Sequence, residues 1–251
     1  MMIRFDGKIV AVTGAGHGFG REIARSFARL GAQVFATDLG SDALAETAST
    51  GGIAVRAVDL RDRGAGAAWI AALETQTGRA IDVLVNNAGG VAGQGPVSLE
   101  DVSDQDWNTI FDINVNAAFT LCRAAAPGMK RAGGGRIVNI SSGAGLQPSL
   151  TGIQAYCSAK HAVVGLTRQL AHELGPFGIT VNSVAPGFIR TNAATEAQWA
   201  SYGADGQAAL MERIAMKRLG SAGDIANAVV FFASDLAGFV NGQVLQVDGG
   251  R

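Results

Sequence analysis

Short runs of consecutive apolar, β-branched residues alternate along this chain with alanine-rich stretches in which apolar positions recur every three to four residues. Ile9-Val10-Ala11-Val12 and Val83-Leu84-Val85 are apolar at every position, the pattern of strands buried on both faces. The patterning predicts strands over residues 8–13, 33–37, 53–58, 81–86, 136–141, 180–184 and 243–247. Helices are expected over 18–30, 42–49, 63–77, 103–131, 154–174, 207–216 and 222–234. This alternation predicts an α/β fold: a single-domain, doubly wound, seven-stranded parallel sheet with helices on both faces. No linker divides residues 1–251. The stretch 191–217 departs from the alternation. It carries Trp199, Tyr202 and several small polar residues, and is expected to form a substrate lid.

Composition narrows the function classes. Apolar residues make up 48% of the chain, charged residues 16% and aromatics 6%, so the core is built from Ala, Val, Ile and Leu. The 35 glycines, with only five prolines and no repeat, point to tight turns and close helix–sheet packing rather than to collagen or disorder. A formal net charge of −1 without a block of like charges argues against nucleic-acid binding. No apolar run is long enough to span a bilayer, and residues 1–8 lack the apolar segment of a signal peptide. Cys122 and Cys157 form no CxxC, which fits free thiols in a cytoplasmic protein. His17, His161 and His172 lack metal-ligand spacing, so no metal site is expected.

Two stretches carry candidate chemistry. Thr13-Gly14-Ala15-Gly16-His17-Gly18-Phe19-Gly20 follows the first expected strand and opens the first helix. Glycines there permit a tight turn and close backbone approach to a phosphate, which the helix N-terminus would attract. Glycines needed only for a turn would look the same. Asp38 ends the second strand, 20 residues after Gly18. A carboxylate there can accept from both ribose hydroxyls of an adenosine and repels a 2′-phosphate. Thr37, Leu39 and Gly40 supply no cation for that phosphate, which favours NAD over NADP, although His17 could give it some help. The second stretch is Tyr156-x-x-x-Lys160, whose side chains share one face of the helix expected over 154–174. A free tyrosine, with a pKa of about 10, is a poor base at neutral pH. A neighbouring ammonium is expected to lower that value and suit the phenol to proton exchange with an alcohol or ketone. Most pairs of this kind on helices are surface decoration.

Taken together, these residues resemble the short-chain dehydrogenase/reductase family from about Asp6 to Gly250. Thr13-Gly14-x-x-x-Gly18-x-Gly20 matches the family's cofactor loop, and Asp59-Leu60 its adenine-contacting pair. Asn86-Asn87-Ala88-Gly89 matches its NNAG element. Asn114, Ser142, Tyr156 and Lys160 match its catalytic four. Pro186-Gly187-Phe188-Ile189-Arg190-Thr191 matches the segment that meets the nicotinamide carboxamide, and Val240–Gln243 with Val247–Gly250 its C-terminal strand region. The resemblance implies a Rossmann domain that binds the cofactor through Gly14, His17, Gly18, Phe19, Gly20, Asp38 and Leu39. Asp59, Leu60, Asn87, Ala88, Gly89, Pro186, Gly187, Ile189 and Thr191 join them, together with Tyr156 and Lys160. Ser142 precedes Tyr156 by 14 residues, one more than in many relatives. Ser141 lies beside it, Gly143 occupies the commoner spacing, and alignment from the preceding strand favours Ser142.

The implied chemistry is reversible hydride transfer between a secondary alcohol and nicotinamide. Tyr156 would exchange the proton and Lys160 would lower its pKa and hold the nicotinamide ribose. Ser142 would hydrogen-bond the substrate oxygen. Asn114, in an apolar helix, would position a water leading from Lys160 to solvent; a buried Asn of purely structural role is the alternative. Gln147, Gln154, Trp199 and Arg251, with Ser142 and Tyr156, are the candidate substrate contacts. As a terminal residue Arg251 is of a kind that usually frays; the family resemblance leaves open that it reaches a neighbouring subunit's pocket, where it would suit an anionic substrate. The family resemblance also implies a homotetramer. A small polyol, sugar or sugar acid is the expected substrate. A 3-oxoacyl-carrier-protein reductase using NADP is the alternative, and a non-catalytic cofactor-binding regulator would ordinarily lack Tyr156 or Lys160.

Overall fold

The computed structural model describes residues 3–251. Seven strands form one parallel sheet: β1 (Ile9–Thr13), β2 (Gln33–Asp38), β3 (Ile53–Ala57), β4 (Val83–Asn86), β5 (Gly135–Ile140), β6 (Ile179–Pro186) and β7 (Val244–Val247). Their spatial order is β3-β2-β1-β4-β5-β6-β7. The order reverses between β1 and β4, and the carboxyl ends of those two strands open the crevice in which a doubly wound sheet binds ligands.

Period-two packing explains why the strands are apolar throughout. On β1, Val10 and Val12 face one core cluster and Ile9 and Ala11 the other. The first cluster lies under α1 (Gly18–Arg29) and α9 (Ala222–Ala233), contributing Ile23, Phe27, Ile225 and Val229. The second lies under α3 (Arg63–Thr77), α5 (Ala117–Ala132) and α6 (Gln154–Leu174), contributing Trp69, Ile70, Leu121 and Leu174. Helices thus cover both faces, as the alternation predicts. The short α2 (Ser41–Ala48) follows β2.

Two helical expectations need correction. Residues 103–131 do not form one α-helix. α4 (Asp104–Phe111) passes into a π-helical turn, Asp112–Asn116, before α5 begins. The extra residue in that turn swings the helix face, and Asn114 becomes buried within it. The segment before residue 207 is also more regular than its small polar residues suggest. It forms α7 (Ala193–Ser201), followed by α8 (Gly203–Arg213). An Asn192/Thr195 capping box starts α7, and Gly203, with φ +61°, lets the chain turn between the two helices. No described helix is long and apolar enough to cross a membrane.

Candidate active site

The carboxyl ends of β1, β4 and β5 and the start of α6 converge on one cleft of about 1130 Å³. That exceeds the roughly 300–1,000 Å³ usual for a single small ligand, leaving room for a dinucleotide with a small substrate beside it.

Backbone geometry fits the loop after β1 to a phosphate group. Gly14 and Gly18 have φ of +64° and +56°, left-handed values that favour glycine. A Cβ on Gly14 would lie 2.8 Å from the Ala88 Cα. Gly20 is buried, where a Cβ would collide with the Gly14 carbonyl, so it serves helix–strand packing instead of lining the cleft. The first turn of α1 has no acidic residue and no side-chain cap. Its N–H groups and dipole are left for an anion. The loop is tied to the neighbouring strand through Thr13. Its hydroxyl accepts from the Asn87 and Ala88 N–H groups at 3.0 and 2.9 Å. The Asn87 amide donates to the Thr13 and Gly14 carbonyls at 2.9 and 3.0 Å.

Asp38 and Leu39 line one end of the cleft. The Asp38 carboxylate accepts from Gly16 N–H and Leu39 N–H, each at 2.7 Å, and keeps further lone pairs for ribose hydroxyls. Leu60 lines this end as expected, but Asp59 does not. Its carboxylate forks onto Arg61, with a shortest contact of 2.7 Å, and the bond from Arg61 holds its pKa below the usual carboxylate value. Arg61, which the sequence reading passed over, lines the cleft itself. Its charge is answered by Asp59, so Asp38 remains the unpaired charge at this end. His17, Gly18, Phe19, Ala88, Gly89, Pro186, Gly187, Ile189 and Thr191 also line the cleft.

Midway along the cleft stand Ser142, Tyr156 and Lys160. The two serines at the end of β5 have different surroundings. Ser141 is buried and donates to the Lys160 carbonyl at 3.0 Å, joining β5 to α6. Ser142 faces the cleft, accepts from Ala144 N–H at 3.1 Å and hydrogen-bonds the Tyr156 phenol. Lys160 is buried and donates to the Ile140 carbonyl at 3.0 Å, leaving two of its three donors free. Burial without a carboxylate partner lowers its pKa to about 8. Asn114 is gripped through its side chain. It accepts from Gly90 N–H at 2.9 Å and donates to the Gly90 and Ile110 carbonyls, both at 2.8 Å. It also sits against Gly89, where an added Cβ would meet both Asn114 and the Lys160 ammonium.

One electrostatic expectation is reversed. The Tyr156 pKa is raised: burial penalises the phenolate more than the Ser142 bond favours it. Lys160 does not offset this, because its ammonium is directed at the Ile140 carbonyl and lies 5.7 Å from the phenol ring centre. In the protein alone the phenol is therefore a proton donor at neutral pH.

The substrate candidates divide. Gln147 and Arg251 line the cleft. Gln154 does not, since its amide donates to the Val97 carbonyl at 3.0 Å. Trp199 lies behind the wall, stacked on Phe188 at 5.9 Å, while Phe188 and Tyr202 face inward. Arg251 lies in the cleft of its own chain. The turns at Gly249 and Gly250, with φ of +72° and +81°, bring it back. Cys157 packs with its thiol on the Ala144 carbonyl at 3.3 Å. Sequence reading also missed the small cluster of Ile110, Ile153, Ala155 and Ala159 that backs Tyr156.

Residues 14–251 match the short-chain dehydrogenase model described as enoyl-(acyl carrier protein) reductase. The chain is 40% identical over 252 residues to D-threitol dehydrogenase of Mycolicibacterium smegmatis, covering 98% of this chain and 94% of that protein. It is 35% identical over 252 residues to 3-oxoacyl-(acyl-carrier-protein) reductase of Escherichia coli, covering 99% and 98% respectively. A crystal structure from Agrobacterium tumefaciens, provisionally named a 2-deoxy-D-gluconate 3-dehydrogenase and carrying bound NADP, matches with a TM-score of 0.85 and 35% identity. That match covers 99% of this chain and 97% of the other.

Proposed function

The chain belongs to the short-chain dehydrogenase/reductase family, and from that premise we propose that it is an NAD-dependent oxidoreductase interconverting a small secondary alcohol and its ketone. A polyol, sugar or sugar acid is the proposed substrate class. The observation that carries this reading is the convergence of Ser142, Tyr156 and Lys160 in the cleft that also holds the glycine loop and Asp38.

The pyrophosphate would rest on the loop from Gly14 to Gly20 and the N-terminus of α1, with Asp38 accepting from the adenosine ribose. The two free donors of Lys160 would hold the nicotinamide ribose. Pro186, Gly187, Ile189 and Thr191 would meet the carboxamide. Bound there, NAD would accept or return the hydride, and its oxidised ring would add positive charge beside Tyr156. The Tyr156 phenol gives its proton to a ketone oxygen or receives one from an alcohol. Ser142 donates to the same substrate oxygen and stabilises charge developing on it. Lys160 and the Asn114 turn lead that proton towards solvent. Helices α7 and α8 act as a lid over residues 191–217, with Phe188 and Tyr202 as its inner surface.

Two observations support NAD over NADP: Asp38 would face a 2′-phosphate directly, and Arg61, the nearby cation, is paired with Asp59. The alternative, 3-oxoacyl reduction with NADPH, draws support from the likeness to the Escherichia coli reductase and to the NADP-carrying structure. A homotetramer is also proposed. It is supported by the exposed apolar side chains of Phe119 on α5, Leu245 on β7 and Phe239 in the loop before β7, and sedimentation would test it.

The function is tested by mixing protein with NAD or NADP and a panel of alcohols while following absorbance of the reduced cofactor. Turnover of a polyol or sugar acid with NAD is expected. Turnover confined to NADPH and 3-oxoacyl thioesters would transfer the assignment to the alternative.

A further inference from the structure

One cation in the cleft has no place in the chemistry just described. Arg251 lines the same cleft as Ser142 and Tyr156. Its guanidinium forms no ion pair and no hydrogen bond with any described residue, and its Nε is buried without a partner. The cleft's other arginine is engaged: Arg61 forks onto Asp59. Arg190, behind the lid, is paired with Glu196 at 2.6 Å. Of these arginines, Arg251 is the one held against the cleft with no acidic partner among the described residues.

Its position is built by the backbone. Gly187 N–H donates to the Val247 carbonyl at 3.0 Å and Met216 N–H to the Gly249 carbonyl at 3.1 Å. The Asp248 carboxylate accepts from Gly250 N–H at 2.9 Å, closing the turn. These bonds fix the segment between β6 and the end of α8 and present Arg251 to the cleft.

An unpaired guanidinium against a cleft is costly to desolvate, and a carboxylate is the partner that fits the terminal N–H groups of its planar fork, the Nε itself being shielded. The charges along the cleft agree. Asp38, at the adenosine end, is its one acidic lining residue among those described, and Lys160 adds a second cation near Tyr156. The substrate end therefore favours an anion. Gln147, whose side-chain amide makes no hydrogen bond with a described residue, lines the same cleft and can pair with hydroxyls.

We propose that Arg251 binds a substrate carboxylate, so that the enzyme prefers polyhydroxy acids over neutral polyols of the same length. This rests on the cleft being the alcohol-oxidising site proposed above. Tyr156 and Ser142 hold the reacting carbinol, Gln147 pairs with a neighbouring hydroxyl, and Arg251 fixes the charged end. Because the arginine comes from the same chain, acid recognition does not require a neighbouring subunit.

The test compares an aldonate with the alditol of equal chain length. In wild type, kcat/KM with NAD should favour the aldonate. In Arg251→Gln this preference should fall by about 10²-fold, the scale of losing one partner of a buried charge pair, with Arg251→Lys in between. Calorimetry then measures aldonate binding to the NADH-loaded enzyme, where no turnover occurs. The Kd should rise in Arg251→Gln while the NADH Kd, which reports an intact fold, stays at its wild-type value. Wild type that oxidises alditols but neither oxidises nor binds aldonates would overturn the carboxylate assignment and leave the hydride-transfer reading standing. Aldonate binding that depends on Arg251, without turnover of any alcohol, would support the anion site while sinking that reading. A preference identical in wild type and Arg251→Gln would remove Arg251 from the site.

Discussion

Tyr156 and Lys160 stand one helical turn apart, and the chain reveals the pair but not its electrostatics. Burial pushes both groups towards their neutral forms, raising the phenol and lowering the ammonium to about 8. Alcohol oxidation needs the phenolate, which burial disfavours, so its rate should climb towards alkaline pH, and ketone reduction, which needs the phenol, should fall over the same range; a kcat/KM profile flat with pH would contradict this. At the other end of the cleft, Asp38→Ala should shrink the ratio of NAD to NADP efficiency about tenfold or more, since it removes both the ribose acceptor and the phosphate repulsion. A wild-type enzyme already favouring NADP would contradict that role. Residue identities were legible because glycine, Asp38, Tyr156 and Lys160 sit at diagnostic spacings. The state of Tyr156 was not, because it depends on burial by Ile110, Ile153 and Ala159 from two separate helices. The pairing of Arg61 with Asp59 escaped notice for a related reason: spacing alone does not reveal which charges neutralise each other.

At the scale of elements, strands and most helices follow from apolar period, and the discrepancies lie where period carries little information. A π turn adds one residue to a helix without breaking its apolar character, so residues 103–131 read as continuous while the structure swings Asn114 into Gly90. Helix α7 hides behind Asn192 and Thr195, whose capping bonds outweigh the weak amphipathicity that follows. The lid proposed for these helices would be anchored by Phe188, Trp199 and Tyr202, with ring centres 5.7 to 6.4 Å apart. Phe188→Ala should loosen it, raising substrate KM by about tenfold with little change in NAD affinity, an effect on the order of 1 kcal/mol for lost aromatic contacts. Fluorescence titration of NAD beside steady-state kinetics separates the two quantities. Equal weakening of both would show that the ring supports the cofactor floor and not the lid. At the glycine loop, Gly20→Ala should lower Tm by several degrees because its Cβ has no room beneath Gly14. Thermal unfolding checks this directly.

For the whole molecule, strand–helix alternation predicted the seven-stranded parallel sheet, but the order β3-β2-β1-β4-β5-β6-β7 comes from long-range pairing that no local pattern records. That order puts β1 beside β4 and so brings Gly14 against Asn87 across more than 70 residues of chain. It also explains why Gln154 and Trp199 do not line the cleft while Arg251 does. Proximity to the catalytic helix or to the lid in sequence does not fix which way a side chain faces, and the final turn of the chain is set by β6, β7 and the end of α8. The central claim is that one phenol in this cleft handles the proton of a hydride transfer to NAD. The direct measurement is NADH formation from NAD and a polyol or sugar acid by wild type and by Tyr156→Phe, with NAD affinity measured on both. The account predicts turnover in wild type, a loss of about 10²-fold or more in kcat for Tyr156→Phe, and NAD affinity within about twofold. Tyr156→Phe turning over at near wild-type rate would contradict it.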